Sequence, residues 1–175
     1  MIPIRKIVKT IDAISEWTGR IAIWALVVVT GIVVYEVVTR RLFHSPHVWT
    51  YEIITFFYGF HFMILAAFAL LHRAHVSIDI LYNRLSPRTQ AILDVITYLF
   101  FFFPFIIILF KVGFTNAIAS WMTHEKTLTA RLPIVTPAMK SITPVTAVLL
   151  FLQGFSIFYK RLFFLIKGQD LAGPG

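Results

Sequence analysis

Three groups of residues in this chain have the types and spacing to do chemistry. Glu36 and Arg40 stand four apart in the favourable acid-before-base order, and Glu52 faces Arg40 and Arg41 across a short turn. This set reads either as a clamp on a hairpin or as part of a proton or ion relay. No second acid lies deep in any apolar run to continue a relay, which favours the clamp. His61 is the one ionisable residue near the middle of an apolar run. A single histidine cannot supply both axial ligands of a bis-histidine haem, so a satisfied interior histidine or a contact with another subunit is the better reading. The third group is Arg73-Ala74-His75-Val76-Ser77-Ile78-Asp79, which packs a base, an imidazole and a carboxylate into seven residues. The chain has no cysteine, so thiol catalysis, disulfides and Cys-bound metals or clusters are excluded.

The elements that must position these groups are four apolar stretches: Ile21 to Tyr35, Ile53 to Leu71, Val95 to Phe110 and Ser141 to Tyr159, each free of Lys, Arg, Asp and Glu. With flanking residues each reaches the ~20 residues that a helix needs to cross ~30 Å of hydrocarbon. The 175 residues are 58% hydrophobic and 14% charged, too little polar surface to cover a soluble core. The runs are unbroken rather than alternating, which excludes a β-barrel. The sequence predicts an all-α integral membrane protein forming one small-permease domain, with spans at about 18–42, 50–72, 88–115 and 141–165. A cleaved secretory signal is disfavoured for the first run, since Val37-Val38-Thr39-Arg40-Arg41 continues the helix into charge with no small-residue cleavage site.

The net charge is +8. With the N-terminus cytoplasmic, the inner side receives Arg5, Lys6, Lys9, Arg20, Arg73, Arg84, Arg88, Lys160, Arg161 and Lys167. The outer side then receives Arg40, Arg41, Lys111, Lys126, Arg131 and Lys140. The excess favours both termini cytoplasmic, although Arg40 and Arg41 run against it. Attraction to an anionic inner leaflet accounts for the basic balance without nucleic acid. This topology also puts His124 on the opposite side from His72 and His75, which argues against a metal shared by those three.

Before the first span, Ile4, Ile7, Val8, Ile11 and Ile14 recur at helical spacing opposite Arg5, Lys9, Asp12, Glu16 and Arg20. This predicts an amphipathic interfacial helix over about 4–16 that turns into the span near Trp17, or alternatively a plain extension of that span. The turn His44 to Trp49 is short enough to make spans one and two an antiparallel hairpin. Trp49 and Tyr51 lie at its interfacial aromatic belt. A second amphipathic segment is expected over about 76–86, and Ser86-Pro87 opens span three as cap and first-turn proline. Pro104 should kink span three unless a neighbouring group satisfies the freed carbonyl, and Pro144 is expected in the first turn of span four. No pair of broken helices of the kind that builds a transporter substrate site is apparent.

Taken in order, Trp49-Thr50-Tyr51-Glu52 opening span two, the His75-Val-Ser-Ile-Asp79 segment, Leu132-Pro133, Pro137 with Pro144, and Leu152-Gln153-Gly154 resemble the DctQ-type small membrane subunit of tripartite ATP-independent periplasmic (TRAP) transporters. The likeness covers essentially the whole chain. It departs where Ile134-Val135 replaces the aromatic that often follows the Leu-Pro pair, and where the outer loop His124 to Arg131 is unusually basic.

The resemblance implies a bacterial inner-membrane, multi-pass, non-enzymatic subunit. It would bind beside a large membrane subunit, as a heterodimer, and a periplasmic binding protein would deliver an organic anion to the pair. Sodium-coupled movement is attributed to the large subunit, so sodium belongs there and no cofactor is expected here; the small subunit enlarges the static scaffold. On this reading Glu36, Arg40, Glu52, His61, Arg73, His75 and Asp79 organise the subunit or its contact with the large one. The outer-side residues His47, Trp49, Trp121, His124, Lys126 and Arg131 are candidates for touching the binding protein, and membrane lipids are further partners. The competing reading is a self-contained homo-oligomeric exporter or channel, which would need polar residues lining a common face across several spans.

Overall fold

The computed structural model describes residues 2–45, 47–72, 82, 84–125 and 134–168. Arg73, His75, Asp79, Lys126 and Arg131 lie outside the described residues, as do Leu132-Pro133, the tail after Gly168 and most of the 76–86 segment. The described elements are α1 (Ile2–Leu42), α2 (Val48–Leu71), α3 (Pro87–Thr97), α4 (Phe103–Met122) and α5 (Val135–Lys167), with a π-helical turn, Tyr98–Phe102, joining α3 to α4. The helical rod Pro87–Met122 is the third span, so four helices are long and apolar enough to cross a membrane. Among the described residues there is no strand.

Span one differs from the interfacial-helix expectation. α1 is a single helix of 41 residues with no turn at Trp17, so the N-terminal amphipathic segment extends the span. Val8 and Ile11 of its apolar stripe are buried, and beside them Asp12 and Ser15 reach polar groups on α5. A helix whose polar side finds partners on a neighbour gains nothing by bending away into the interface.

α5 also begins earlier than the sequence predicts, at Val135, so that Pro137 occupies its first turns and Pro144 lies inside it. Pro144 is buried beside Gly113 of α4; a Cβ on Gly113 would sit 2.9 Å from Thr143 Cγ2 and 3.4 Å from Pro144 Cδ. The missing side chain is what lets the two helices approach at the proline. Gly168, at φ 67°, ends α5 in the left-handed conformation, and its N–H donates to the Phe164 carbonyl.

The π turn answers the question posed by Pro104. Proline has no N–H and its ring would crowd the carbonyl four residues back in a regular α-helix. Widening the preceding turn removes that conflict, with the Phe103 N–H bonding to the Tyr98 carbonyl. The wider turn also sorts the aromatic run. Phe100 and Phe101 point outward, while Phe102 and Phe103 turn onto α5, where Phe103 meets Phe151 and Phe158 edge-on at ring-centroid distances of 5.5 and 5.6 Å. At the start of this rod Ser86 caps α3 by accepting from Thr89 N–H, with Pro87 at the first helical position, as the sequence predicts.

α1 and α2 form the antiparallel hairpin; α5 packs against both, and against α3 and α4 as well. α5 is therefore the common neighbour of every other element. The outer surface of the bundle is densely apolar, including Trp24, Phe62, Phe105 and Ile108, as helices in contact with lipid or another membrane protein require.

Candidate functional site

The polar groups of the spans gather into ties between helices, and two of them are large. At the end of the hairpin that carries its turn, Glu36 is 8% exposed. Arg40 Nη2 donates to its Oε1 at 3.1 Å, the backbone N–H of His47 donates to the same oxygen at 3.3 Å, and Thr50 Oγ1 donates to Oε2 at 2.9 Å. One carboxylate thus fixes its own helix, the turn and the first turn of α2. The chain reverses over a few residues, helped by His44 at φ 51°. His47 Nδ1 lies 3.6 Å from Glu36 Oε2, beyond hydrogen-bond reach, and its ring instead joins Tyr35 and Trp49 in an aromatic trio with centroids 5.9–6.4 Å apart. Glu52 is buried two residues past Thr50. Arg41 shares with Glu36 and Arg40 the lining of a groove between α1 and α2.

At the opposite end of the bundle, α1 and α5 are joined through Asp12. Ser156 Oγ donates to Oδ1 at 2.7 Å and Gln153 Nε2 to the same oxygen at 3.2 Å, while Lys160 Nζ donates to Oδ2 at 2.6 Å. Ser15 Oγ donates to Gln153 Oε1 at 2.7 Å, and Ser15, Gln153 and Ser156 are fully buried. Every polar atom of the Gln153 amide is engaged, so a group that would be costly alone is satisfied. Beside this network, Arg161 Nε stands 2.8 Å from Asp94 Oδ2. It forms an ion pair by distance, with its N–H not aligned to donate, and Tyr82 OH donates to the same carboxylate oxygen at 2.7 Å. Glu16 pairs with Arg20 on its own helix and with His72 Nε2 at 3.3 Å, tying α1 to the end of α2.

His61, in the middle of α2, places Nδ1 2.7 Å from the carbonyl oxygen of Ala22 on α1. That geometry requires Nδ1 to carry the proton and makes His61 a cross-link between two spans. Among the candidates of the outer side, Trp121 donates from Nε1 to Ser141 Oγ at 2.9 Å, joining α4 to α5, and His124 ends α4 at φ 47° with its side chain exposed.

Next to it Glu125 accepts from Lys140. The hydrogen bond from Lys140 does most to hold the Glu125 carboxyl below its ordinary value of 4.5; the Ser120 hydroxyl and, least of all, the ammonium charge add to it against the opposing effect of burial. A depressed carboxylate pKa contributes stability that is present above 4.5 and is lost as the pH falls through the folded-state value. The melting-temperature difference between the wild type and Glu125→Gln is therefore expected to be level at neutral pH and to close as the solution is taken below pH 4.5. A difference that stays constant through the whole acid titration, with wild type and variant losing stability in parallel, would show that the pair adds nothing electrostatic.

The structure brings Glu36 and Arg40 together as the sequence suggests and adds His47 and Thr50. Asp12, Ser15, Gln153, Ser156 and Lys160 were not singled out as a site by sequence, although the Leu152-Gln153-Gly154 motif contains one of them. Gln153, Ser156 and Lys160 recur at three- and four-residue spacing along the C-terminal half of an apolar span, and Asp12 and Ser15 stand three apart on α1. Two polar stripes of that kind at one membrane depth are the signal that could have found them. Among the described residues no group of three His, Asp or Glu side chains is placed to hold a metal ion.

Comparison with known proteins bears on what these ties serve. The family model described as "Tripartite ATP-independent periplasmic transporters, DctQ component" matches residues 29–163. A curated relative, the sialic acid TRAP transporter permease protein SiaT of Haemophilus influenzae (strain 86-028NP), is 27% identical over 82 residues, covering 47% of this chain and 13% of that protein. The matched region is thus a small fraction of the relative's length. No solved structure matches.

Proposed function

This chain belongs to the DctQ component family of the tripartite ATP-independent periplasmic transporters, a multi-pass protein of the bacterial inner membrane, and we propose that it is the small, non-transporting scaffold subunit of such a transporter. The observation that carries this reading is the use made of its polar groups. Asp12 and Gln153, Glu36 and Thr50, and His61 are each committed to holding one span against another. A transport pathway needs polar groups that exchange partners as cargo passes; groups satisfied by helix-to-helix bonds serve a body that keeps its shape. An element sliding in the bilayer needs an immobile partner, and a unit cross-linked at its inner end, its middle and its outer end supplies one.

On this proposal the large membrane subunit carries sodium-coupled uptake of an organic anion, delivered by a periplasmic binding protein. The relative is named for sialic acid, an organic anion. Choice of substrate is assigned to the large subunit and the binding protein. The outer ends of both hairpins, with His47 and Trp49 on one and Trp121 and His124 on the other, are the surfaces offered to the binding protein.

Affinity purification of a tagged copy from native membranes in mild detergent tests the proposal. A larger multi-spanning protein in equal amount is the expected companion. Recovery of this chain alone as a homogeneous homo-oligomer would refute the subunit reading in favour of a self-contained exporter or channel.

A further inference from the structure

A groove of about 340 Å³ opens between the outer ends of α1 and α2, lined by Val33, Val37 and Ile54 with Glu36, Arg40 and Arg41. We propose that it binds one phospholipid of the outer leaflet, its phosphate held by Arg40 and Arg41 and an acyl chain laid against Val33, Val37 and Ile54.

The lining is graded along the membrane normal. At 1.5 Å per residue, Val33 lies roughly 10 Å deeper along α1 than Arg40, with Val37 between them. Charge at the mouth and branched aliphatic side chains below it reproduce the polarity profile of a phospholipid. The depth is independently marked by His47 and Trp49, whose paired rings, 5.9 Å apart, belong at the headgroup level.

The charges are available for the task. The Arg40 side chain is 66% exposed and gives one nitrogen to Glu36, leaving most of the five guanidinium donors. Arg41 is exposed and makes no ion pair among the described residues. The Glu36 carboxylate, which accepts from Arg40, the His47 N–H and Thr50, is offset by Arg40, so the mouth of the groove keeps one net positive charge, that of Arg41. Two arginines on the outer side run against the positive-inside bias, and a bound phosphate diester explains why they are accommodated there. Guanidinium suits phosphate because its planar donors match paired oxygens.

The test uses the protein purified with whatever partners accompany it, in nanodiscs containing phosphatidylglycerol with a photoactivatable diazirine on one acyl chain. Labelled peptides are then mapped by mass spectrometry. The wild type is expected to be labelled at Val33, Val37 and Ile54 above other lipid-facing positions. Arg41→Gln, which leaves the Glu36 ties in place, should lower that labelling about fivefold, the loss expected for one basic residue at an anionic headgroup. Val37→Trp should fill the groove and abolish the labelling without changing charge. Even labelling along all spans, unaffected by either variant, would mean ordinary annular lipid and overturn the proposal. It is equally overturned if Arg41→Gln leaves the labelling unchanged while releasing a protein from the purified complex, since the arginines would then dock a polypeptide.

Discussion

Gly154→Leu is expected to lower the apparent melting temperature of the detergent-solubilised protein by about 6–12 °C. A side chain at this position begins inside the ring of Phe102: its Cβ would stand 2.1 Å from Cε1 and 2.8 Å from Cζ. The ring cannot step aside cheaply, because Tyr98 lies against it at 4.9 Å between centroids and Phe103, at 5.8 Å, is itself wedged onto Phe151 and Phe158. Overfilling a packed interface costs about 1–3 kcal/mol, and a branched side chain at a buried contact between two elements takes the upper end. For a chain of this size each kcal/mol corresponds to roughly 2–4 °C. Gly31→Leu is the control, since nothing lies within 4 Å of a Cβ there. Equal downward shifts for the two variants would show that the Phe102 contact does not set the cost, since helix propensity favours leucine over glycine at both positions.

Asp12→Ala should be comparably damaging, by about 2–3 kcal/mol in the same assay. It leaves the Lys160 ammonium, the Ser156 hydroxyl and one side of the Gln153 amide without their acceptor. Breaking a buried pair by removing one partner costs roughly 3–5 kcal/mol. The Asp12 and Lys160 side chains are 24% and 28% exposed, so water reclaims part of that. Lys160→Met in the Asp12→Ala background should recover about 1 kcal/mol, because the stranded charge is then gone. No recovery in the double variant would mean that the serine and the amide, rather than the lysine, carry the interaction.

The spans were legible in the sequence because hydropathy is a property of each segment alone, and the Glu36–Arg40 pair because helical spacing brings residues four apart together. The Ser86-Pro87 cap was legible for the same local reason. What escaped depends on a second helix. Asp12 reads as one residue of a solvated stripe until α5 sets Gln153, Ser156 and Lys160 against it, 141 to 148 positions later in the chain. Thr50 and the His47 N–H become ligands of Glu36 only through the particular reversal at His44, which no spacing rule encodes. Pro104 announced a disturbance in span three, but whether a kink or a widened turn absorbs it is decided by the need to seat Phe102 and Phe103 on α5. The unbroken length of α1 was undecided by sequence, since an amphipathic stripe suits a membrane surface and a polar neighbour equally.

The position of α5 as neighbour to every other helix has a consequence for how the molecule is made. It follows the other three spans out of the ribosome, and until it does Asp12 of α1 has no donors, Ser15 no acceptor, and the third span no seat for Phe102 and Phe103. Assembly is thereby staged: α1 and α2 can pair through Glu36 with Thr50 and His61 with the Ala22 carbonyl as they enter the bilayer, while the third span is joined to them only when α5 arrives. A cell that degrades helices left unpaired would therefore be sensitive to α5 above the other helices, and damage to it would be felt as loss of the partner that α1 and the third span share.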